Sequence, residues 1–299
     1  MACGGSAPPN APEKGWTPGL EQLIPAGVDL VARIDWKRAR EAGVNEPALE
    51  ALRDAGVSAA VLDTLAGCLG KAEFVRIGIR LGPNGLDGDT MAVITGLPSA
   101  REPDDVPCGA QGWEHSGTRR ELDVFEPDVP STDRSSAAMM LRSRKGAVAV
   151  VTPGQVDGLL RVLRNGPDAG RLDPTGDGVV VIEARIQHAM LPMAWKARAP
   201  VLVEAAEGLL EERIRVQVRG DRIEIRAALT YADAARAEQA GEKLREVRTV
   251  LLDSGRDAYG QVAESMHASL QGDLLRLELA IPRGGASQLV PGTKRRDEE

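Results

Sequence analysis

The chain has 299 residues, 42% of them hydrophobic, which is enough apolar material for one large core or two lobes of ordinary size and too much for a chain disordered throughout. Its 37 Lys and Arg against 44 Asp and Glu give a net charge of −7 with no long basic block, which argues against nucleic acid as a partner. Aromatics make up only 3%, too few for a stacking series for bases or sugars, and no run approaches the roughly 18 apolar residues of a membrane-spanning helix.

In chain order, residues 1–20 hold Cys3, paired glycines and Pro8, Pro9, Pro12 and Pro18, the composition of a flexible tether. Val28, Leu30, Ala32 and Ile34 then alternate with Asp29, Val31, Arg33 and Asp35, the period of a half-buried strand. A helical stretch follows to about Gly70, broken near Gly56, with Ser58 capping its second half. KAEFVRIGIRL and DTMAVITGL read as a hairpin joined by the turn-rich GPNGLDGD. Residues 98–138 are rich in Pro, Asp and Ser and predict loops, with short strands around Leu122–Phe125. After the apolar run KGAVAVVT, a helix is signposted by Thr152 as cap, Pro153 at its opening, Gln155 at the capping-box position and Asn165-Gly166 at its close.

A second series opens with the strand GDGVVVIEARIQ, passes through the helical APVLVEAAEGLLEE and reaches RIRVQVRGDRIEIRAAL, two alternating strands around Gly220-Asp221. Two helices follow, one with Ala240, Leu244, Val247 and Leu251 on a face, the other with Ala258, Val262, Met266 and Leu270. The strand DLLRLELAIP ends the ordered part. ARID at 32–35 recurs as ARIQ at 184–187, and Trp-Lys follows each, at Trp36-Lys37 and Trp195-Lys196. The echo raises an internal duplication into two lobes; chance identity of four letters is the alternative. The order of elements predicts an α+β fold, a largely antiparallel sheet with helices on one face. Its parts are a tether at 1–20, an N-terminal lobe at 21–166, a C-terminal lobe at 178–283 and a disordered tail at 284–299.

No nucleophile elbow, P-loop, HExxH or CxxC is present, and GCLGKA at 67–72 lacks the glycine gap and hydroxyl residue of a phosphate cradle. His115, His188 and His267 stand apart without ligand spacing, and the acidic turns LDGDT and DPTGDG lack the terminal glutamate of a calcium loop. No metal, cofactor or catalytic residue is therefore assigned. What does recur is arginine. Arg213, Arg215, Arg219, Arg222 and Arg226 fall on the polar face of the predicted hairpin with Glu224 among them, and Arg276 and Glu278 decorate the final strand. Such a face is either solvated, its Arg stems covering the sheet, or an anion, headgroup or partner-docking surface; the candidate interaction residues are Arg213, Arg215, Arg222 and Arg226.

Three cysteines are an odd set. The simplest account gives Cys3 to a lipid and pairs Cys68 with Cys108, because a hairpin carries the chain out and back and brings those positions near one another. Two independent core cysteines and a metal pair are the alternatives. ACGGSAPP looks like the junction of a bacterial lipoprotein, with Ala2 in the small-residue position before the acylated cysteine. Only Met1 and Ala2 precede Cys3, so this reading expects an apolar leader encoded upstream. Together with LIPAGVDLVARIDW, LAGCLG before a strand, VPCGA and the closing helical pair, the chain resembles cell-envelope lipoproteins of Gram-negative bacteria, of the delta-proteobacterial type. That resemblance implies a periplasm-facing or surface-exposed α+β lipoprotein of the outer membrane and no particular activity. The expectation is a non-enzymatic binding or scaffolding module, anchored in the membrane through Cys3 and engaging an envelope protein or anionic ligand. The alternatives are a periplasmic hydrolase with a site in 98–138, where Glu114, His115 and Ser116 lie, and a cytoplasmic protein with an incidental Cys3.

Overall fold

The computed structural model describes residues 19–54, 57–81, 88–99, 105–131, 133–167, 169–185, 200–253 and 257–282. Cys3, the tether before Gly19, the helix break at Gly56, the turn at 82–87, Trp195-Lys196 and the tail lie outside the described residues. The strands are β1 (Leu30–Asp35), β2 (Phe74–Arg80), β3 (Asp89–Thr95), β4 (Trp113–Arg119), β5 (Leu122–Pro127), β6 (Met139–Ser143), β7 (Ala147–Val151), β8 (Val180–Ala184), β9 (Leu209–Arg219), β10 (Arg222–Tyr231), β11 (His267–Gln271) and β12 (Leu274–Pro282). The helices are α1 (Trp36–Glu41), α2 (Asn45–Asp54), α3 (Ala59–Leu69), α4 (Pro153–Asn165), α5 (Pro200–Ala205), α6 (Ala234–Asp253) and α7 (Asp257–Ser265). The fold is α+β, with antiparallel pairing.

The chain forms two compact units that interleave. Among the described residues the first contains those within 58–78 and 89–171, and the second contains those within 29–57, 79–88 and 172–282.

In the first unit the strands lie in the order β2-β3-β7-β6-β5-β4. Met91 to Ile94 of β3 and all of β7 are buried, so both faces of these strands are covered, as continuous apolar runs such as MAVI and AVAVV require. Helix α3 packs against β3 and β7 through Val61, Leu62 and Leu65. Its cap forms as the sequence predicts: the Val61 N–H donates to Ser58 Oγ at 3.3 Å, while the Ser58 N–H donates to Thr90 Oγ1 at 3.2 Å. At α4 the predicted capping residues do something else. Thr152 Oγ1 accepts from the Thr90 N–H at 2.9 Å and Gln155 Nε2 donates to the Asp89 carbonyl at 3.3 Å, so both side chains tie the helix to β3. The segment predicted as loops with short strands around Leu122–Phe125 has β5 at that place and, in addition, β4, and it ends just before β6.

In the second unit the order is β1-β8-β9-β10-β12-β11. The strands that open the two series pair here, β1 with β8 antiparallel, with Leu30 opposite Ala184 and Ala32 opposite Ile182. The clear hairpin forms around Gly220, whose φ of +60° suits a residue without a Cβ. Leu209, Tyr231, Ala237, Ala240, Leu244, Met266 and Leu275 form a core beneath α6, and the buried Tyr231 hydroxyl donates to the Ala205 carbonyl at 2.7 Å. Two boundaries differ from the periodicity. The predicted helix through LLEE ends at Ala205, and β9 begins at Leu209 because Gly208, at φ +79°, turns the chain so that Leu209 joins this core. The predicted helix through Leu270 ends at Ser265, whose hydroxyl accepts from the Ala280 N–H at 2.9 Å, and HASLQ pairs with β12 as a strand.

The strand order within each unit contains the same four-strand pattern. A hairpin comes first, then a later strand beside its second arm, then the strand preceding that one: β2-β3-β7-β6 and β9-β10-β12-β11.

Candidate functional site

The arginines of β9 and β10 share one face because the register places Arg215 opposite Arg226, Arg219 opposite Arg222 and Arg213 opposite Ala228. Arg276 stands opposite Ala228 from the other side and Glu278 opposite Arg226. Arg213, Arg215, Arg219, Arg222, Arg226 and Arg276 thus meet only Glu211, Glu224 and Glu278 on these three strands, in a chain whose net charge is −7.

Some of this charge is matched. Arg213 Nη2 lies 2.9 Å from Glu183 Oε1 on β8, Arg226 lies 3.7 Å from Glu278 and 3.9 Å from Glu224, and Arg219 lies 3.6 Å from Glu224. The arginine of each pair is half exposed or more, so solvent screening limits each pair to about 1 kcal/mol. Among the described residues Arg215, Arg222 and Arg276 have no carboxylate within ion-pair distance. Arg215 and Arg222 each face another arginine directly across the hairpin, an arrangement that destabilises a bare sheet. The Arg215 guanidinium reaches the loop at Gly176, whose carbonyl accepts from Arg33 at 3.0 Å.

At the end of this face a cleft of about 500 Å³ is lined by Arg38, Arg219, Gln217, Glu41 and Asp177 with Ala42, Val179 and Val218, so two guanidinium groups share it with two carboxylates. Asp35 caps α1, accepting from the Arg38 N–H at 3.0 Å, and pairs with the Arg38 side chain at 3.3 Å. Arg219 donates to Gln217 at 3.0 Å, and Gln217 donates to Asp177 at 3.4 Å. The cleft therefore presents guanidinium groups already oriented by neighbours and exposed on their outer sides. Sequence reasoning did not place Arg38 or Asp177 here, since their approach to β9 depends on β8 pairing with β9 and β1 pairing with β8.

The opposite face of the hairpin is apolar and half-buried, with Ile214, Val216, Ile225 and Leu229 on it. Glu212 stands among them, across from Leu229 and Ala184, and burial holds its carboxyl above the ordinary glutamate value of 4.5. The Tyr231 hydroxyl is pushed up to about 12, by burial first and then by the Glu212 charge.

In the first unit Cys68 and Cys108 are joined in a disulfide with Cα atoms 4.6 Å apart, spanning a sequence separation of 40. Close approach of the two segments needs Gly67, because a Cβ there would stand 1.9 Å from the Cys108 carbonyl oxygen. Cys108 itself adopts φ +62°. Arg142 holds the same loop by donating to the Asp105 carbonyl. Arg142 also forms a buried pair with Asp123 at 2.8 Å and lies over the Phe125 ring at 5.2 Å from its centroid. A second cleft, about 460 Å³, lies beside the disulfide with Lys71 and Ser143 on its wall.

The residues of the 98–138 segment that would form a hydrolytic site do not gather in one pocket. His115 lies against the Phe125 ring at 5.3 Å between centroids, Ser116 Oγ donates to the Val124 carbonyl at 3.4 Å, Asp123 is held by Arg142, and Glu114 is exposed. Neither cleft is lined by His115 or Ser116, and among the described residues no group of three His, Cys, Asp or Glu could hold a metal.

No protein-family model matches the sequence, nor does any curated protein. The fold does have solved counterparts. Crystal form I of the treponemal protein TP0453 matches with a TM-score of 0.53 at 10% identity, covering 88% of this chain and 92% of that one. Crystal form III matches with a TM-score of 0.52 at 10% identity, covering 88% of this chain and 93% of that one. At such identity the likeness concerns the fold alone.

Proposed function

We propose that the folded body is a binding module, held at an envelope membrane by lipid on Cys3, and that the Arg face of β9, β10 and β12 engages an anionic partner. The observation that carries this reading is the direct opposition of Arg215 to Arg226 and of Arg219 to Arg222 on an exposed face. Like charges placed so close are relieved by counter-charges, and the glutamates on these strands are too few to provide them. Arginine's planar fork suits phosphate or carboxylate groups. The Gly/Pro-rich segment after Cys3 supports the anchored part of the reading, since it has the composition of a spacer between a lipid and a domain.

The test uses Arg215→Glu with Arg222→Glu and two probes, phosphatidylglycerol vesicles and soluble polyphosphate, with phosphatidylcholine vesicles as the neutral reference. The unmodified protein should bind at least one anionic probe in a salt-sensitive way. Basic groups near an anionic surface contribute about 1 kcal/mol each, so the double reversal should weaken that binding by more than about tenfold without lowering thermal stability. Binding unchanged by the reversal, or retention of neither anionic probe, overturns the reading. For the anchor, the gene expressed with its upstream DNA should give a protein that incorporates labelled fatty acid, and Cys3→Ser should abolish the label.

A further inference from the structure

The two outermost strands differ in how their free edges are treated. β4 is the edge of the first unit's strand array, and it carries the devices by which sheets discourage further pairing: a bulge between His115 and Gly117, φ of +138° at Gly117, and the charged Glu114 and Arg119. Among the described residues β11 is the edge in the second unit, and it has none of them. It reads HASLQ, pairs with β12 in unbroken register from His267 to Gln271, contains no proline, lysine or acidic residue, and is exposed at all five positions. A regular, uncharged and exposed edge of this kind presents backbone donors and acceptors in register for another strand.

We infer that β11 is a self-association edge, where two copies of this chain pair antiparallel about a two-fold axis at Ser269. Directly opposite residues in an antiparallel pair point to the same face, so an axis that continues the apolar face of one copy into that of the other must pass through a residue. Centring it on Ser269 uses the whole strand. It sets His267 of one copy opposite Gln271 of the other and Ala268 opposite Leu270, polar on polar and apolar on apolar, with no like charges opposed. Leu270, 42% exposed, lies on the face toward α6 beside Gly241, and its outer side would gain the facing Ala268. The contact is short, so the dimer is weak in solution and is strengthened when both copies are held on one surface. The inference does not depend on the Arg face.

Cysteine scanning tests it, with Cys3→Ser in every variant so that the only added thiol is the one placed on β11. Facing Cα atoms in an antiparallel pair are about 4.5–5.5 Å apart, within the range a disulfide spans. Ser269→Cys should therefore give a covalent dimer on mild oxidation, seen by non-reducing electrophoresis, whereas Ala268→Cys alone, whose symmetry mate is offset along the strand, should give at least tenfold less. Ala268→Cys mixed with Leu270→Cys should cross-link heterologously. Sedimentation velocity of the unmodified body should show a concentration-dependent dimer that Ser269→Pro removes. A thermal melt checks that the proline variant stays folded, and Ser269→Lys supplies an edge charge without disturbing the backbone. Equal cross-linking at 268 and 269, or a monomer at every concentration with no cross-link at 269, overturns the proposal.

Discussion

The strands β2-β3-β7-β6 and β9-β10-β12-β11 run in the same order, yet the two sets are treated as opposites. Met91 to Ile94 and Ala147 to Val151 are buried at every position, whereas β9 and β10 bury only Leu209, Ile223 and Tyr231. Strand order alone therefore does not decide whether a sheet becomes a core or a surface. The alternate positions decide: MAVI and AVAVV are apolar on both faces and demand cover from both sides, whereas RIRVQVR and RIEIR are apolar on one face and leave the other to water. The first unit is locked by a disulfide and a buried ion pair, and the second offers a charged face and an unguarded edge.

The contrast is broken most severely at Arg142. Replacing it with alanine leaves Asp123 buried without its counter-charge and frees the loop at Asp105, with an expected loss of about 3–5 kcal/mol in chemical denaturation. Arg213→Ala, which removes a similar contact with Glu183 on the exposed face of the second unit, should change stability by no more than about 1 kcal/mol. Comparable losses at both sites would mean that the Arg face is part of a core.

Loss of the disulfide comes next. Cys68→Ser with Cys108→Ser releases a cross-link across a separation of 40 residues, for which chain entropy gives about 4 kcal/mol at its upper end. Gly67→Ala should act in the same direction even with both cysteines present, since its methyl group collides with backbone. Thiol titration of the unfolded, non-reduced protein checks the bond directly, and finding both thiols free would contradict it.

Tyr231→Phe probes the smaller core. Its hydroxyl donates to the Ala205 carbonyl in a buried setting, so the change should cost about 1–3 kcal/mol while leaving the first unit's melting behaviour intact. The smallest effect is pH-dependent. Because burial raises the Glu212 pKa in the folded state, the folded protein holds this proton more tightly than the unfolded chain. The group's stabilising contribution is therefore complete below the ordinary glutamate range and fades as pH rises through the folded value. Glu212→Gln should stabilise the protein at neutral pH and make no difference in acid, measured as the midpoint of urea unfolding at several pH values.

Much of the local structure was legible from residue pattern. The hairpin at Gly220-Asp221, the Ser58 cap, the apolar runs of β3 and β7 and the helix opening at Pro153 each rest on neighbours within a few residues, and so does the alternation that gathers the arginines on one face. The proximity of Cys68 and Cys108 followed from the hairpin between them. β4 and β6 were not legible, because WEHSGTR and MMLRS lack a full alternating pattern and become strands by pairing with β5 and β7. HASLQ continued a helical stripe through Met266 and Leu270 and became β11 because its partner β12 lies just beyond Gly272.

By itself the sequence determined the α+β class, the faces of the strands and the charge they carry, since side-chain periods of two and 3.6 residues follow from the backbone alone. Only the tertiary structure decided that β1 pairs with β8, that Arg38 and Asp177 join Arg219 around one cleft, that Arg142 rather than an exposed arginine is the buried one, and that HASLQ is a bare edge. Those outcomes depend on contacts between residues far apart in the chain, whose closure entropy is met only when many non-local pairings form together.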